Sequence, residues 1–208
     1  MVGVSTIYRL VLVKPELNDY WYEKQCLEDP DTMSYNAGYD VSYEGYHYDT
    51  GCIDFPEERW EACYQRREKE HRVFLFLKDI HKDCYVGYVN DQYQQDQQQY
   101  HCGIVIEAKY RGMGYAKEGL TLLCEYAFSH GVDALYDGFE EDRASARHVF
   151  QELGFEIAER TTWNRFGTKV NGMTIVLTKD KFQKRVQCQV VLVEPKLMIN
   201  ELCKRTKI

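Results

Sequence analysis

The sequence predicts an α/β (α+β) fold, a central sheet flanked by helices, and three stretches carry that prediction. From Cys102 to His130 an apolar run passes into a glycine-spaced turn and then into a segment with Ala116, Leu120, Leu123, Cys124, Ala127 and Phe128 at helical spacing. Residues 73–77 are continuously apolar, as a strand covered on both faces must be, and residues 84–89 suit its hairpin partner. Residues 134–139 make a further β-rich run after Gly131, so that strand, helix and strand follow one another around the turn.

In chain order, residues 5–13 form a first β-rich run, and Pro15 suits the first turn of the helix after it. That helix, residues 17–27, carries Tyr20, Trp21 and Tyr22 in succession, as in a half-buried helix or the wall of a cleft. Periodicity disappears over residues 28–55, where Tyr, Asp and Gly dominate and Asp29-Pro30, Ala37-Gly38 and Thr50-Gly51 give turn signals. A connection that long inside a compact domain is usually functional or mobile. Its Tyr35, Tyr39, Tyr43, Tyr46 and Tyr48 either line an acceptor pocket, with ring faces suited to a cation, or fold against the sheet. Residues 56–70 read as a second helix with Trp60, Cys63, Tyr64 and Arg67 on one side and a solvated charged face opposite.

The glutamine-biased segment 91–99 reads as a hairpin loop and strand edge, and residues 100–107, apolar at odd and even positions alike, as a central strand. Gly131 closes the following helix, Asp142 is the expected N-cap of a helix running to Leu153, and Gly154 terminates it. Residues 156–162 and 173–178 read as closing antiparallel strands with 164–172 as their turn region. One domain is expected over 1–180. The tail, 181–208, alternates at Val186, Cys188, Val190 and Leu192 and holds a short apolar segment at 197–203, which reads as an added strand and helix at a homodimer contact.

A chain of 208 residues, 44% hydrophobic and 28% charged, is long enough for one good core. No run reaches the length of a membrane span, and the opening MVGVSTIYRL lacks the basic-then-apolar plan of a signal peptide, so a cytoplasmic protein without a membrane partner is expected. A net charge of −7 argues against nucleic acid as a partner. It mildly favours a cationic acceptor, or serves solubility alone. The eight cysteines include no Cys-x-x-Cys, so reduced buried thiols are expected, with neither disulfides nor a metal site.

The turn at 111–116 has the chemistry of an anion site. The first N–H groups of a helix lack partners inside the helix, and the aligned peptide dipoles add partial positive charge there. Gly112 and Gly114 let the chain reach positive φ and let a phosphate approach the backbone, and Arg111 adds a fork of donors. The turn has neither the Gly-Lys-Ser/Thr of a nucleoside triphosphate loop nor the Gly-x-Gly-x-x-Gly of a dinucleotide fold. Arg111-Gly-Met-Gly114-Tyr-Ala116, together with Leu153-Gly154-Phe155 at the end of the next helix, resembles the pyrophosphate loop and following helix of the GNAT superfamily of acyl-coenzyme A dependent N-acetyltransferases. The resemblance runs over about residues 72–178.

The resemblance implies a mixed, mostly antiparallel sheet in which two parallel strands splay apart to admit the acyl donor, acetyl-coenzyme A. It implies that the backbone of Ile104, Val105 and Ile106 takes the pantetheine amides. Gly112 and the N–H groups of Met113, Gly114, Tyr115 and Ala116, with Arg111, would take the pyrophosphate. The reaction implied is direct attack of a neutral primary amine, of a small molecule or a peptide, on the thioester, with no covalent enzyme intermediate and no metal. Tyr100 or His101, at the start of the organising strand, is the expected base, directly or through water; Glu107, Glu140 and Glu141 are the other candidates within reach of the notch.

Two positions depart from the family pattern. Phe150 stands where many members carry the tyrosine that protonates the leaving thiolate, and Arg143 stands where an Asn is common, able to bind a cofactor phosphate or an acidic acceptor group. Phe150 supports a second reading, a catalytically silent acyl-coenzyme A binding or sensing protein. A phosphate-binding α/β protein with unrelated chemistry is the third.

Overall fold

The computed structural model describes residues 8–186. A seven-stranded sheet organises them: β1 (Leu10–Val13), β2 (Val73–Asp79), β3 (Cys84–Gln94), β4 (Gln99–Ile106), β5 (Ala134–Glu140), β6 (Glu156–Arg165) and β7 (Thr168–Thr178), in the order β1-β2-β3-β4-β5-β7-β6. Every neighbouring pair is antiparallel except β4 and β5. The mixed, mostly antiparallel sheet with one parallel pair is the architecture that the family resemblance implied.

Each face of the sheet is covered by helices. Along β2 the side chains alternate, so Leu75 and Leu77 enter one core while Phe74 and Phe76 enter the other. The first core lies beneath α4 (Tyr115–Ser129) and α5 (Ala144–Leu153), where Leu120, Leu123, Cys124, Ala127 and Phe128 form the buried stripe of α4. Burying each leucine contributes about 1.5–3 kcal/mol. Gly119 lets α4 lie close against β2, because a Cβ there would stand 2.7 Å from Leu77 Cδ1. The second core lies beneath α1 (Tyr20–Leu27) and α3 (Trp60–Lys69), where Tyr22 and Cys26 meet Phe74, Phe76, Tyr88 and Val105. A buried bidentate pair, Arg67 to Glu23 at 2.8 and 2.6 Å, joins α3 to α1. The short helix α2 (Pro30–Met33) is capped by Asp29, which accepts the N–H groups of Asp31 and Thr32.

Several sequence expectations change in detail. Only Leu10–Val13 of the first run is strand among the described residues, and Pro15 precedes the one-turn helix Leu17–Asp19, whose N-cap is Glu16, instead of lying in its first turn. Residues 28–55 are not structureless: besides α2 they hold a further helical turn at Ser34–Asn36 and a bridge from Tyr39 to Arg165. α5 is capped by Arg143 and not by Asp142, with no side-chain bond to the first turn. The closing strands continue through the expected turn region to a two-residue loop, Phe166-Gly167, both residues at positive φ. Their extra length is polar because the outer face of β6 is exposed, and an exposed strand reads like a loop. Residues 179–186 are helical, with Phe182 in the first core. The strand expected around Cys188–Leu192 and the helix expected at 197–203 lie outside the described residues, as does the start of the 5–13 run.

Candidate active site

The parallel pair β4–β5 has two residue pairs only, Tyr100 with Leu135 and His101 with Tyr136. Beyond them the strands part, and a notch opens between β4 from Cys102 to Ile106 and β5 from Asp137 to Glu140. Hydrogen-bond alternation says which backbone groups line it. Glu107 N–H bonds Val86 O at 3.1 Å, so the odd-numbered residues of β4 turn their backbone groups to β3 and the even-numbered ones, Cys102, Ile104 and Ile106, turn theirs to the notch. On β5, the bonds of Glu141 N–H to Asn171 O and of Lys179 N–H to Asp133 O give odd residues to β7 and leave Gly138 and Glu140 facing the notch. Of the three β4 residues expected to meet an extended arm, Ile104 and Ile106 offer backbone groups; Val105 offers only the side chain it buries beneath α1.

At the open end of the notch stands the glycine-spaced turn. Gly112 (φ 76°) and Gly114 (φ 82°) are both left-handed, and Gly114 is the N-cap of α4. A Cβ at Gly112 would meet nothing within 4 Å, so the turn has open space above it. Among the described residues the N–H groups of Gly112, Met113, Gly114 and Ala116 make no turn or side-chain hydrogen bond, and the first bond back into α4 is Glu118 N–H to Gly114 O. These are unpaired donors at a helix N-terminus, which fits a diphosphate. Tyr115 turns its ring inward, 2% exposed, and its hydroxyl donates to Asp79 at 2.5 Å, so its side chain packs beneath the loop as a support.

The two arginines that the sequence suggested are held by protein partners. Arg111 turns back and donates to the carbonyls of Ile106, Asp31 and Thr32 at 3.3, 2.9 and 2.7 Å, which ties the loop to α2. Arg143 lies across the notch from the turn, at the C-terminal end of β5, against Glu140, the carbonyl of Tyr35 and the hydroxyl of Tyr39, and so holds the tyrosine-rich connection. Arg9 and Lys82 stand beside the loop in their place: Arg9 donates to Met113 O at 3.2 Å, and Lys82 Nζ to the Tyr115 hydroxyl at 2.9 Å. Both are far from the loop in sequence, and no local pattern marks them.

Tyr100 and His101 occupy the closed end of the notch. Tyr100 packs on Tyr93 across the β3–β4 pair at 5.0 Å. His101, on the face that carries the tyrosine-rich connection, stacks on Tyr136 at 6.0 Å, and burial lowers its pKa, which favours the neutral ring. The two expected bases are therefore separated: His101 borders the notch and Tyr100 turns away.

Above the same face Tyr35 and Tyr39 lean over the notch, Arg143 rests 5.7 Å from the Tyr35 ring centre, and Trp163 covers Gly138 and Gly172. Arg165 donates to Ala37 O and Ser34 O, and Phe166 N–H to Gly38 O, so the β6–β7 hairpin straps this connection down. Glu140, 1% exposed, sits between Arg143 and Arg165 in ion-pair contact with both.

Phe150 stacks on Phe139 at 5.5 Å and meets Phe155 edge-on at 4.9 Å, as a core side chain does. A cavity of about 400 Å³ opens beside it, lined by Arg147, Gln151 and Ile157 among others, but its walls include neither the glycine turn nor the open strand edges.

Asp137 was not among the expected site residues. It is the first β5 residue past the last β4–β5 pair, and its carboxylate accepts Gly138 N–H at 2.7 Å on the notch edge. Burial pushes its pKa up to about 7, against a lowering by the Gly138 N–H and by Arg143. A lone acid in the otherwise uncharged run Ala134–Phe139 was the available signal.

A splayed parallel strand pair, a glycine turn with unpaired donors and an aromatic cover together can admit an extended chain with a phosphate at one end. Comparison with known proteins agrees. The family model described as acetyltransferase (GNAT) family matches residues 20–155. The spermidine N-acetyltransferase of Vibrio cholerae, solved with CoA and spermine, superposes with a TM-score of 0.68 at 16% identity, over 84% of this chain and 98% of that one. An N-acetyltransferase from Staphylococcus aureus superposes at 0.63 and 15% identity, over 82% and 99% of the two chains. A GNAT-family acetyltransferase from Bacillus anthracis superposes at 0.63 and 16%, over 84% and 98%. No curated protein sequence matches the chain.

Proposed function

The chain belongs to the acetyltransferase (GNAT) family, and from that premise we propose that it moves the acetyl group of acetyl-coenzyme A to a primary amine of a small molecule or peptide. The observation that carries this reading is the pairing of the open β4 edge with the unpaired N–H groups of the glycine turn. Ile104 and Ile106 would pair with an extended amide-bearing arm as an added strand does, and Gly112, Met113, Gly114, Tyr115 and Ala116 would meet the diphosphate with their N–H groups. Arg9 and Lys82 add positive charge beside them.

The amine would approach from the opposite face, beneath Tyr35 and Tyr39. No Lys or Arg occurs between Lys24 and Arg59, while Glu28, Asp29, Asp31, Asp40, Glu44, Asp49 and Asp54 do, so the connection is itself rich in acid, which suits a cationic acceptor. The Vibrio cholerae relative was solved with spermine, which accords with this preference. His101, whose pKa is lowered by burial so that the neutral ring is favoured, would take the ammonium proton directly or through water.

Calorimetric titration with acetyl-coenzyme A, followed by thiol release against a panel of primary amines, tests the proposal. Binding with release for any amine supports it. Binding without release for every amine favours an acyl-coenzyme A sensor, the reading that Phe150 supports, and no binding removes the glycine turn from the site.

A further inference from the structure

We infer that Asp137 is the proton donor of the transfer, the group that protonates the sulfur released when the amine attacks the thioester carbonyl. The inference rests on the acetyltransferase reading and supplies a residue for the step that reading leaves unassigned, because α5 presents at the family's tyrosine position only the ring of Phe150, which has no proton to give.

Position carries the argument. Gly138 turns its N–H toward the notch, and Asp137 accepts that N–H at 2.7 Å, so its carboxyl lies along the open edge of β5. The register places it across from Cys102, at the point where β4 and β5 separate. It also shares a strand face with Leu135 and Phe139, both in the core beneath α4 and α5, so it projects to that side of the sheet, whereas His101 and Tyr136 project to the tyrosine-covered side. A proton acceptor on one side of the notch and a donor on the other is the arrangement a transfer between nitrogen and sulfur needs.

The groups that reach Asp137 are few. Arg143 at the start of α5 stabilises its charged form, and Tyr35 from the tyrosine-rich connection and the buried Cys102 thiol of β4 each feel its charge. Among the described residues its carboxyl has no hydrogen bond other than the one to Gly138 N–H. With its pKa pushed up to about 7 by burial, a large share of the side chain is a neutral acid at neutral pH, and an acid of that strength can protonate a departing thiolate.

The step balances without a further reagent. A nitrogen–carbon bond forms, the carbon–sulfur bond breaks with its electron pair going to sulfur, and the Asp137 O–H proton goes to that sulfur. The proton that leaves the nitrogen passes to His101 or water and restores the Asp137 acid through solvent, so amine plus thioester become amide plus thiol.

Asp137→Asn keeps an acceptor for Gly138 N–H and removes the acid. With an amine found active in the panel, kcat of the variant should fall about 100-fold, within the usual range for a general acid, with both KM values within about twofold. The fall of wild-type kcat as pH rises through about 7 should vanish in the variant, a change that a packing role would not produce. Wild-type turnover in the variant, or the same pH limb on a lowered rate, overturns the assignment while leaving the acetyltransferase reading intact; so does a limb that survives Asp137→Asn and disappears in Tyr35→Phe. The side-chain carboxyl ¹³C resonance of Asp137 gives a second measure that needs no amine. Its midpoint should lie near pH 7 and move on adding coenzyme A, and a midpoint near 4 with no response overturns the inference. Failure to bind acetyl-coenzyme A at all overturns the family-based reading, and this inference with it.

Discussion

Asp91 lies on β3 directly across from Cys102, 3% exposed, with no hydrogen-bond partner for Oδ2. Burial pushes its pKa up to about 6, with His130 at the end of α4 pulling the other way. A carboxyl whose pKa is raised in the fold makes the native state the better proton binder between about pH 4 and 6, so stability falls as pH rises through that window and stays at the lower level above it. Asp91→Asn should therefore raise the melting temperature at pH 8, corresponding to about 1–3 kcal/mol, and give no gain at pH 3.5, by thermal unfolding at the two pH values. Gly114 is the complementary case, a residue whose backbone conformation matters more than its surroundings: at φ 82° it has only Arg9 Nη2 near a Cβ, at 3.5 Å. Gly114→Trp should leave a folded protein, at a strain of about 1–2 kcal/mol, and weaken acetyl-coenzyme A binding at least about 100-fold by calorimetry.

Among the elements, α1 and α3 depend on one another through Glu23 and Arg67, whose side chains are 5% and 11% exposed. Arg67 also lies 3.7 Å from the Phe74 ring centre, so the pair is set into the second core and not on its rim. Arg67→Ala leaves a buried carboxylate without its partner and should cost about 3–5 kcal/mol in urea unfolding; a loss below 1 kcal/mol would mean that water reaches Glu23. The β6–β7 hairpin does different work. Its tip holds the 34–39 segment through Arg165 and Phe166, and that segment carries the tyrosines over the notch. Arg165→Ala removes two bonds from this strap and should raise the amine KM about tenfold while the acetyl-coenzyme A Kd stays within about twofold, a split that steady-state kinetics and calorimetry separate.

Across the molecule, the parts legible in the sequence are those written locally. The glycine turn, the apolar stripe of α4 and the Gly154 stop are fixed by residues within a few positions of one another, and each is where the pattern places it. Asp137 was legible as a lone acid in an apolar strand, but its position on an open edge was not, because a notch is a lack of pairing between strands some thirty residues apart. The retreat of Arg111 onto α2 and the arrival of Arg9 and Lys82 beside the loop are likewise contacts between distant segments. The exposed ends of β6 and β7 were misread as loop because polar residues suit both.

That short pairing of β4 with β5 has a mechanical meaning. The sheet is a four-stranded piece and a three-stranded piece joined at two residue pairs, with α4 running between them as the covalent link. A chain laid into the gap would act as the missing strand and knit the halves into one sheet, so the proposed donor substrate would double as a structural member. Each round of catalysis would then loosen the protein as product leaves and brace it again as the next donor arrives.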